Sequence, residues 1–173
     1  NPSVYAADAG VGFARPGNRF WPAALEAGLV TRDRDPRHAL VEHRIGMTDL
    51  VPRPTPRASD LDPAEYGPSL DRLARLCGWL RPAAVVVVGI DAWRRASGDR
   101  RAVLGWQPEP VGPTPVYVMP STSGLNAGTS LDDLVALSGS LVARSRVFGA
   151  LDTLEYLKKG GRIGGAQAMI GTM

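Results

Sequence analysis

Residues 83–90 read Ala-Ala-Val-Val-Val-Val-Gly-Ile, an apolar and largely β-branched run with no polar residue in it. A strand with one wet face alternates apolar and polar side chains. A run without alternation is buried on both faces, so its sheet needs a covering layer on each side. Residues 115–119, Pro-Val-Tyr-Val-Met, repeat the pattern, and residues 45–51, Ile-Gly-Met-Thr-Asp-Leu-Val, do so more weakly. Helical periodicities lie between these runs. Over 69–80, Leu70, Leu73, Leu76, Cys77 and Leu80 share a face, with Asp71, Arg72 and Arg75 away from it. Pro82 stops that segment. Over 18–28, Phe20, Trp21, Ala24 and Leu25 fall at helical spacing and Gly28 closes the element. Over 130–142, Leu131, Leu134, Val135, Leu141 and Val142 repeat, with Thr129 and Ser130 as N-cap candidates and Asp132 and Asp133 near the positive helix end. Helices alternating with parallel strands predict an α/β sandwich.

A chain of 173 residues is one domain with room for a real core. Its net charge of +3 is compatible with an anionic partner without being evidence for one. Cys77 is the only cysteine, so no internal disulfide forms, an intracellular setting fits, and its place in an apolar helical pattern makes it a packing residue. His38 and His43 cannot build a zinc site with one cysteine at this spacing and read as surface or helix-end residues. No apolar run approaches the ~20 residues of a membrane span, and no signal peptide opens the chain. Residues 52–68, rich in Pro and Arg, and residues 99–113 read as surface connections. Residues 144–173 read as a C-terminal extension, helical around Phe148, Leu151, Leu154 and Leu157 and disordered over about its last dozen residues.

Two separated loops carry the candidate chemistry. The first holds Asn1-Pro2-Ser3 and the segment from Gly10 to Trp21; the second is Pro120-Ser121-Thr122-Ser123-Gly124-Leu125-Asn126, directly after an apolar run. In open parallel sheets, ligands sit at the carboxyl ends of the strands, which is where the second loop falls. Taken singly the pieces are bland. Asn-Pro is a turn signal, Gly10 and Gly12 lack the Lys-Ser/Thr of a nucleotide P-loop, and Phe20-Trp21 reads as helix core. Their joint order says more. With Gly17-Asn18-Arg19-Phe20-Trp21 come Gly46-Met47-Thr48-Asp49-Leu50-Val51, Arg53-Pro54-Thr55 and Trp106-Gln107-Pro108-Glu109-Pro110. From residue 1 to about residue 143 this set resembles the mismatch-specific uracil/thymine-DNA glycosylases, a branch of the uracil-DNA glycosylase superfamily.

The resemblance implies a three-layer α/β sandwich around a central, mainly parallel sheet. In the family an apolar strand precedes the asparagine, whereas this sequence opens on the motif itself. The expectation is a first strand missing from this sequence: either it has been cut away, or the fold has lost a central sheet element. Asn1 matches the asparagine that orients the hydrolytic water at the sugar C1′, in a reaction where an oxocarbenium-like sugar forms as the base leaves. Backbone N–H groups near Ser3 and Tyr5 would meet the charge on the departing pyrimidine. Phe13 matches the aromatic that stacks on the flipped base, a contact worth ~1–3 kcal/mol. Ala6 stands where thymine-active members carry a small residue, and a methyl group supports only ~1–3 kcal/mol of discrimination.

In the second loop the resemblance implies that Gly124 permits close backbone approach, that Leu125 would be the apolar wedge filling the vacated space, and that Asn126 would contact the opposite base. On the same resemblance Ser121 and Ser123 would hold phosphates. The loop lacks the histidine of the uracil-specific branch, which argues for a slower, mismatch-directed enzyme. Arg15, Arg19, Arg53 and Arg57 stand equally as phosphate contacts or as a solvated charged face.

The reaction implied is monofunctional: uracil, and by extension thymine, is flipped from a G-mismatched duplex and its N-glycosidic bond is hydrolysed. No lysine is placed for a Schiff-base lyase step. Neither a metal nor an organic cofactor is implied, and one cysteine cannot hold an iron–sulfur cluster. The partner is double-stranded DNA with a mismatched or deaminated pyrimidine, met by a monomer in the cytoplasm. Two other readings remain open: a non-catalytic DNA-binding remnant of the same fold, and a small-molecule nucleotide-binding α/β hydrolase using the Gly10–Gly17 loop.

Overall fold

The computed structural model describes residues 1–140 and the backbone of residues 167–171. In chain order the elements are α1 (Val4–Ala9), α2 (Phe20–Glu26), α3 (Pro36–His43), β1 (Ile45–Asp49), α4 (Gly67–Leu80), β2 (Val85–Val88), α5 (Ile90–Ser97), β3 (Gly105–Trp106), β4 (Val116–Met119), α6 (residues 131–140) and β5 (Gln167–Gly171). The five strands form one sheet in the order β1-β5-β2-β4-β3. All neighbours are parallel except β3, which pairs antiparallel with β4.

The valine run behaves as its composition requires. All four residues of β2 are buried. Val86 and Val88 face a core built from α2, α3 and Leu134 of α6. Val85 and Val87 face a second core built from Leu73 and Cys77 of α4 and Trp93 and Ala96 of α5. Successive side chains of a strand point to opposite faces, so a strand between two helical layers has no polar position. Each buried valine contributes roughly 1.5–3 kcal/mol of hydrophobic stabilisation, as an upper bound. The strand is shorter than the apolar run that announces it. Gly89 adopts φ +113°, a backbone conformation natural only to glycine, and turns the chain so that Ile90 opens α5.

The predicted helices at 18–28, 69–80 and 130–142 are α2, α4 and the described part of α6. Leu73 and Cys77 form the buried centre of α4, while Leu80 is 39% exposed, so the expected apolar face stops one turn early. Ser130 caps α6 reciprocally with Asp133: the Asp133 N–H donates to Ser130 Oγ at 3.1 Å and the Ser130 N–H to Asp133 Oδ2 at 2.9 Å. The Ser130 N–H and hydroxyl, both donating to Asp133 Oδ2, hold the Asp133 carboxyl below the usual carboxylate range. Helices α1, α3 and α5 have no counterpart in the sequence reading. Each is eight residues or shorter and draws its stability from packing rather than propensity. The connection at 52–68 holds two short 3₁₀ turns.

Two expectations about the sheet and the tail change. A sheet short of a central element is not what forms: β5 lies between β1 and β2, parallel to both, with Ala168 in register with Val85 and Gly46. Residues 167–171, placed by the sequence reading within a disordered end, are that strand. The helix expected around Phe148–Leu157 lies outside the described residues.

Candidate active site

A cleft of about 730 Å³ opens where the parallel strands end. Gly89, just past β2, and Pro120, just past β4, both line it, the position that open parallel sheets reserve for ligands. One wall is the segment from Thr55 to Ser59. The other is the loop that holds Ser121, Ser123, Leu125 and Asn126.

Asn1 lies beneath the first wall, 1% exposed, and is not itself a lining residue. Its amide nitrogen donates to three oxygens: Thr55 Oγ1 at 2.5 Å, the Arg53 carbonyl at 3.2 Å and the Pro2 carbonyl at 3.2 Å. The Thr55 hydroxyl spends its own proton on the Arg57 carbonyl at 2.7 Å, so toward Asn1 it can only accept. Three acceptors fix which end of the amide is nitrogen. Asn1 Oδ1 is then left buried without a hydrogen-bond partner, the kind of group that a native structure rarely leaves unexplained. Nearby, burial pushes the Asp49 carboxyl up, opposed by the charge of Arg72. Arg72 also donates to the Asp49 carbonyl.

Ser3 lines the cleft and caps α1, its Oγ accepting the Ala6 N–H at 3.2 Å. A backbone bridge from Ser3 to Thr55 joins the two segments. Tyr5 and Ala6 sit on α1 away from the lining, Tyr5 half exposed and Ala6 buried. Phe13 is also away from the lining: it is 2% exposed and stacked on Phe20, with ring centroids 4.1 Å apart and planes 18° apart. Its backbone is left-handed, φ +59°, a conformation that costs a bulky L-residue about 1–2 kcal/mol. The structure thus gathers Ser3, the Asn1 anchor Thr55 and the second loop, and does not bring Tyr5, Ala6 or Phe13 to the cleft surface.

The second loop is polar and self-bonded around one exposed apolar tip. Leu125 is 85% exposed. Asn126 Nδ2 donates to the Ser121 carbonyl at 2.9 Å and to Thr129 Oγ1 at 3.2 Å, while its Oδ1 accepts the Gly128 N–H at 3.2 Å. That side chain shapes the loop. Gly124 passes so close to the Gly17 carbonyl that a Cβ there would lie 2.7 Å from its oxygen.

The block from Gly17 to Trp21 has a use for every residue. Gly17, at φ +81°, turns its carbonyl toward Gly124. Asn18 Oδ1 accepts the Phe20 N–H at 2.9 Å. Phe20 stacks on Phe13, and Trp21, fully buried, donates Nε1–H to the Gly12 carbonyl at 2.8 Å. Arg19 points its guanidinium at carbonyls of the second loop. The four arginines that the sequence could not separate now divide. Arg19 is committed to the loop, and Arg53 forms a two-pronged pair with Glu65 at 2.8 and 2.7 Å. That pair holds the Glu65 carboxyl down at about 2. Arg15 and Arg57 line the cleft, joined by Arg95 of α5, which the sequence gave no reason to single out. Gln107 was also missed as an anchor: its Nε2 donates to the Val103 and Gly105 carbonyls, and its Oε1 accepts Nε1–H of Trp93. Among the described residues no group of three His, Cys, Asp or Glu side chains is placed to hold a metal ion, and no helix is long and apolar enough to cross a membrane.

The site thus joins a mainly parallel sheet, a cleft at the strand ends, one wall anchored on a buried amide and another carrying an exposed leucine. Residues 1–138 match the uracil DNA glycosylase superfamily, and the chain belongs to it. Membership brings DNA glycosylase-type activity, and DNA as the partner. Residues 114–173 also match an uncharacterised protein family, DegV; the two matches share residues 114–138. The second covers the segment that supplies β5.

Proposed function

We propose that this chain is a monofunctional mismatch glycosylase that removes uracil, and with it thymine, from G·U and G·T pairs in duplex DNA and leaves an abasic site. The observation that carries the reading is the Asn1 amide. Three acceptors pin its nitrogen, and its buried oxygen is left to accept a hydrogen bond. An amide cannot serve as a carboxylate base. It can hold a water by one lone pair and aim it, which is the help that a dissociative departure needs. Ser3 and Tyr5 would supply backbone N–H groups to the leaving pyrimidine. Ala6 would leave room for the thymine methyl. Phe13 would act from behind the pocket wall, since its ring is engaged by Phe20.

At the mouth, Leu125 is the candidate for the space that a flipped nucleotide vacates. Ser121 and Ser123 beside it would serve phosphates, and Asn126 the opposite base once the loop meets DNA. Arg15 and Arg57 would add backbone contacts along the cleft. We read residues 1–143 as the part that carries the glycosylase residues and 144–173 as a C-terminal extension whose strand β5 completes the sheet, in a monomer acting on DNA in the cytoplasm.

The test is single-turnover cleavage of duplexes with G·U, G·T or A·U and of single-stranded uracil DNA, with abasic sites revealed by alkali. The expected result is cleavage of G·U above A·U and above the single strand. Equal cleavage of all uracil substrates would overturn the mismatch reading, and no cleavage of any would overturn the catalytic one.

A further inference from the structure

Arg19 and its partners in the second loop are 103 to 110 residues apart in sequence, yet they are stitched together along the whole length of the loop. The Arg19 backbone N–H donates to the Thr122 carbonyl at 2.9 Å. One guanidinium nitrogen, Nη2, donates to the Ser123 carbonyl at 3.1 Å and the Asn126 carbonyl at 2.8 Å. The other, Nη1, donates to the Thr129 carbonyl. Two residues before Arg19, the Gly17 carbonyl rests against Gly124 at the distance only a glycine allows. Leu125, 85% exposed, stands between the bonded carbonyls of Ser123 and Asn126.

A rigid fork with several donors suits this task. One planar cation can satisfy several carbonyls at fixed angles, which an ammonium on a flexible stem cannot do at once. An apolar tip held out in water gains nothing from exposure, so something must keep the loop from folding it inward. A clamp on the carbonyls at either side of the tip does that directly. It also removes the ordering cost from the moment of insertion into DNA, because the loop is already shaped.

We infer that Arg19 is a positioning residue for the wedge: it holds the 122–129 loop so that Leu125 is presented to the duplex, and it is not a phosphate contact. The consequence for DNA rests on the glycosylase reading; the clamp itself does not.

The test uses the full chain as Arg19→Ala, Leu125→Ala and the double variant. Binding is measured by anisotropy on a duplex with a tetrahydrofuran abasic analogue opposite guanine, over a series of salt concentrations, together with single-turnover cleavage of G·U duplex. Hydrogen bonds from a charged donor set the expected loss for Arg19→Ala at about 10-fold to 100-fold. The salt slope should stay unchanged, since a lost phosphate contact would instead reduce it by about 1. Leu125→Ala should add less than about twofold in the Arg19→Ala background, because contacting parts of one device are not additive. A reduced salt slope, or fully additive losses, would overturn the proposal.

Hydrogen exchange on the free variants separates the two layers of the argument. Arg19→Ala should lose protection in 121–129 while β2 and α4 keep theirs; retained loop protection, or loss throughout the molecule, would overturn the clamp. If the wild-type chain cleaves no substrate, the glycosylase reading fails and the exchange result still decides the clamp.

Discussion

Asn1, beneath one wall of the cleft, and Leu125, on the other, are opposite in kind. Asn1 is 1% exposed, with its nitrogen tied to three oxygens; Leu125 is 85% exposed and apolar. The difference follows from what each would have to do. A group that aims a water at one atom must be fixed and shielded, because small misplacements are costly in rate. A group that enters a duplex must stand clear of the protein, with its shape supported from behind. The floor is held by short bonds to its own wall and the wedge by a bond network to a distant segment, so the two fail in different ways.

The comparison breaks most completely if the sheet under the floor is opened. β5 is the strand that joins β1 to β2, and the wall with Thr55 follows β1. A chain ended at residue 140 should lose cleavage altogether. Its melting temperature should fall by more than about 10 °C, since several ladder hydrogen bonds at about 1 kcal/mol each are lost. Calorimetry and the cleavage assay together check this. Asn1→Ala leaves the fold and removes the aimed acceptor: cleavage of G·U should fall at least about 100-fold, while affinity for the abasic-analogue duplex stays within about twofold. Affinity falling in step with rate would make Asn1 a structural residue.

Thr55→Val keeps the volume and deletes the acceptor that orients the amide. Single-turnover cleavage should drop about 10-fold, as expected for one buried hydrogen bond left unmade at about 1–3 kcal/mol, and Thr55→Ser should restore most of it. On the wedge side, Gly124→Ala forces a Cβ against the Gly17 carbonyl, 2.7 Å away. Strain of this kind costs about 1–3 kcal/mol. It should appear as weaker duplex binding with the amide floor undisturbed, read from binding isotherms and calorimetry.

The smallest effect tests the outer brace of the floor. Glu65, bonded to Arg53, has its carboxyl held down from 4.5 to about 2. A depressed acid stabilises the fold above its unfolded value and loses that contribution as pH falls through the folded one. Glu65→Gln should therefore lower the melting temperature slightly at pH 7, converge with the wild type near pH 2, and so flatten the decline between about pH 4.5 and pH 2. The pair is exposed, so the change is small. An unchanged acid limb would show that the brace contributes nothing.

Much of this was legible in the chain itself. The valine run declared a strand buried on both sides because no polar residue interrupts it, and Leu73 with Cys77 declared the buried stripe of α4. The five motif blocks pointed to the superfamily, and the loop after β4 to the cleft edge. Less legible were the short helices, whose stability is tertiary, and the end of β2, where one glycine ends the strand before the apolar pattern does.

Periodicity and residue type act locally, so the layers, the mainly parallel sheet and the residues of the two loops are readable from the chain alone. How those residues are used was settled by the tertiary structure. It committed Arg19 to the second loop and Arg53 to an exposed pair with Glu65, and left Arg15 and Arg57 on the cleft, since the partner carbonyls and carboxylate come from elsewhere in the chain. It stacked Phe13 on Phe20, tied Asn1 to Thr55 and set residues 167–171 between β1 and β2. Each of these depends on where distant backbone oxygens and strand edges arrive, and such meetings leave no mark on the spacing of residues along a chain.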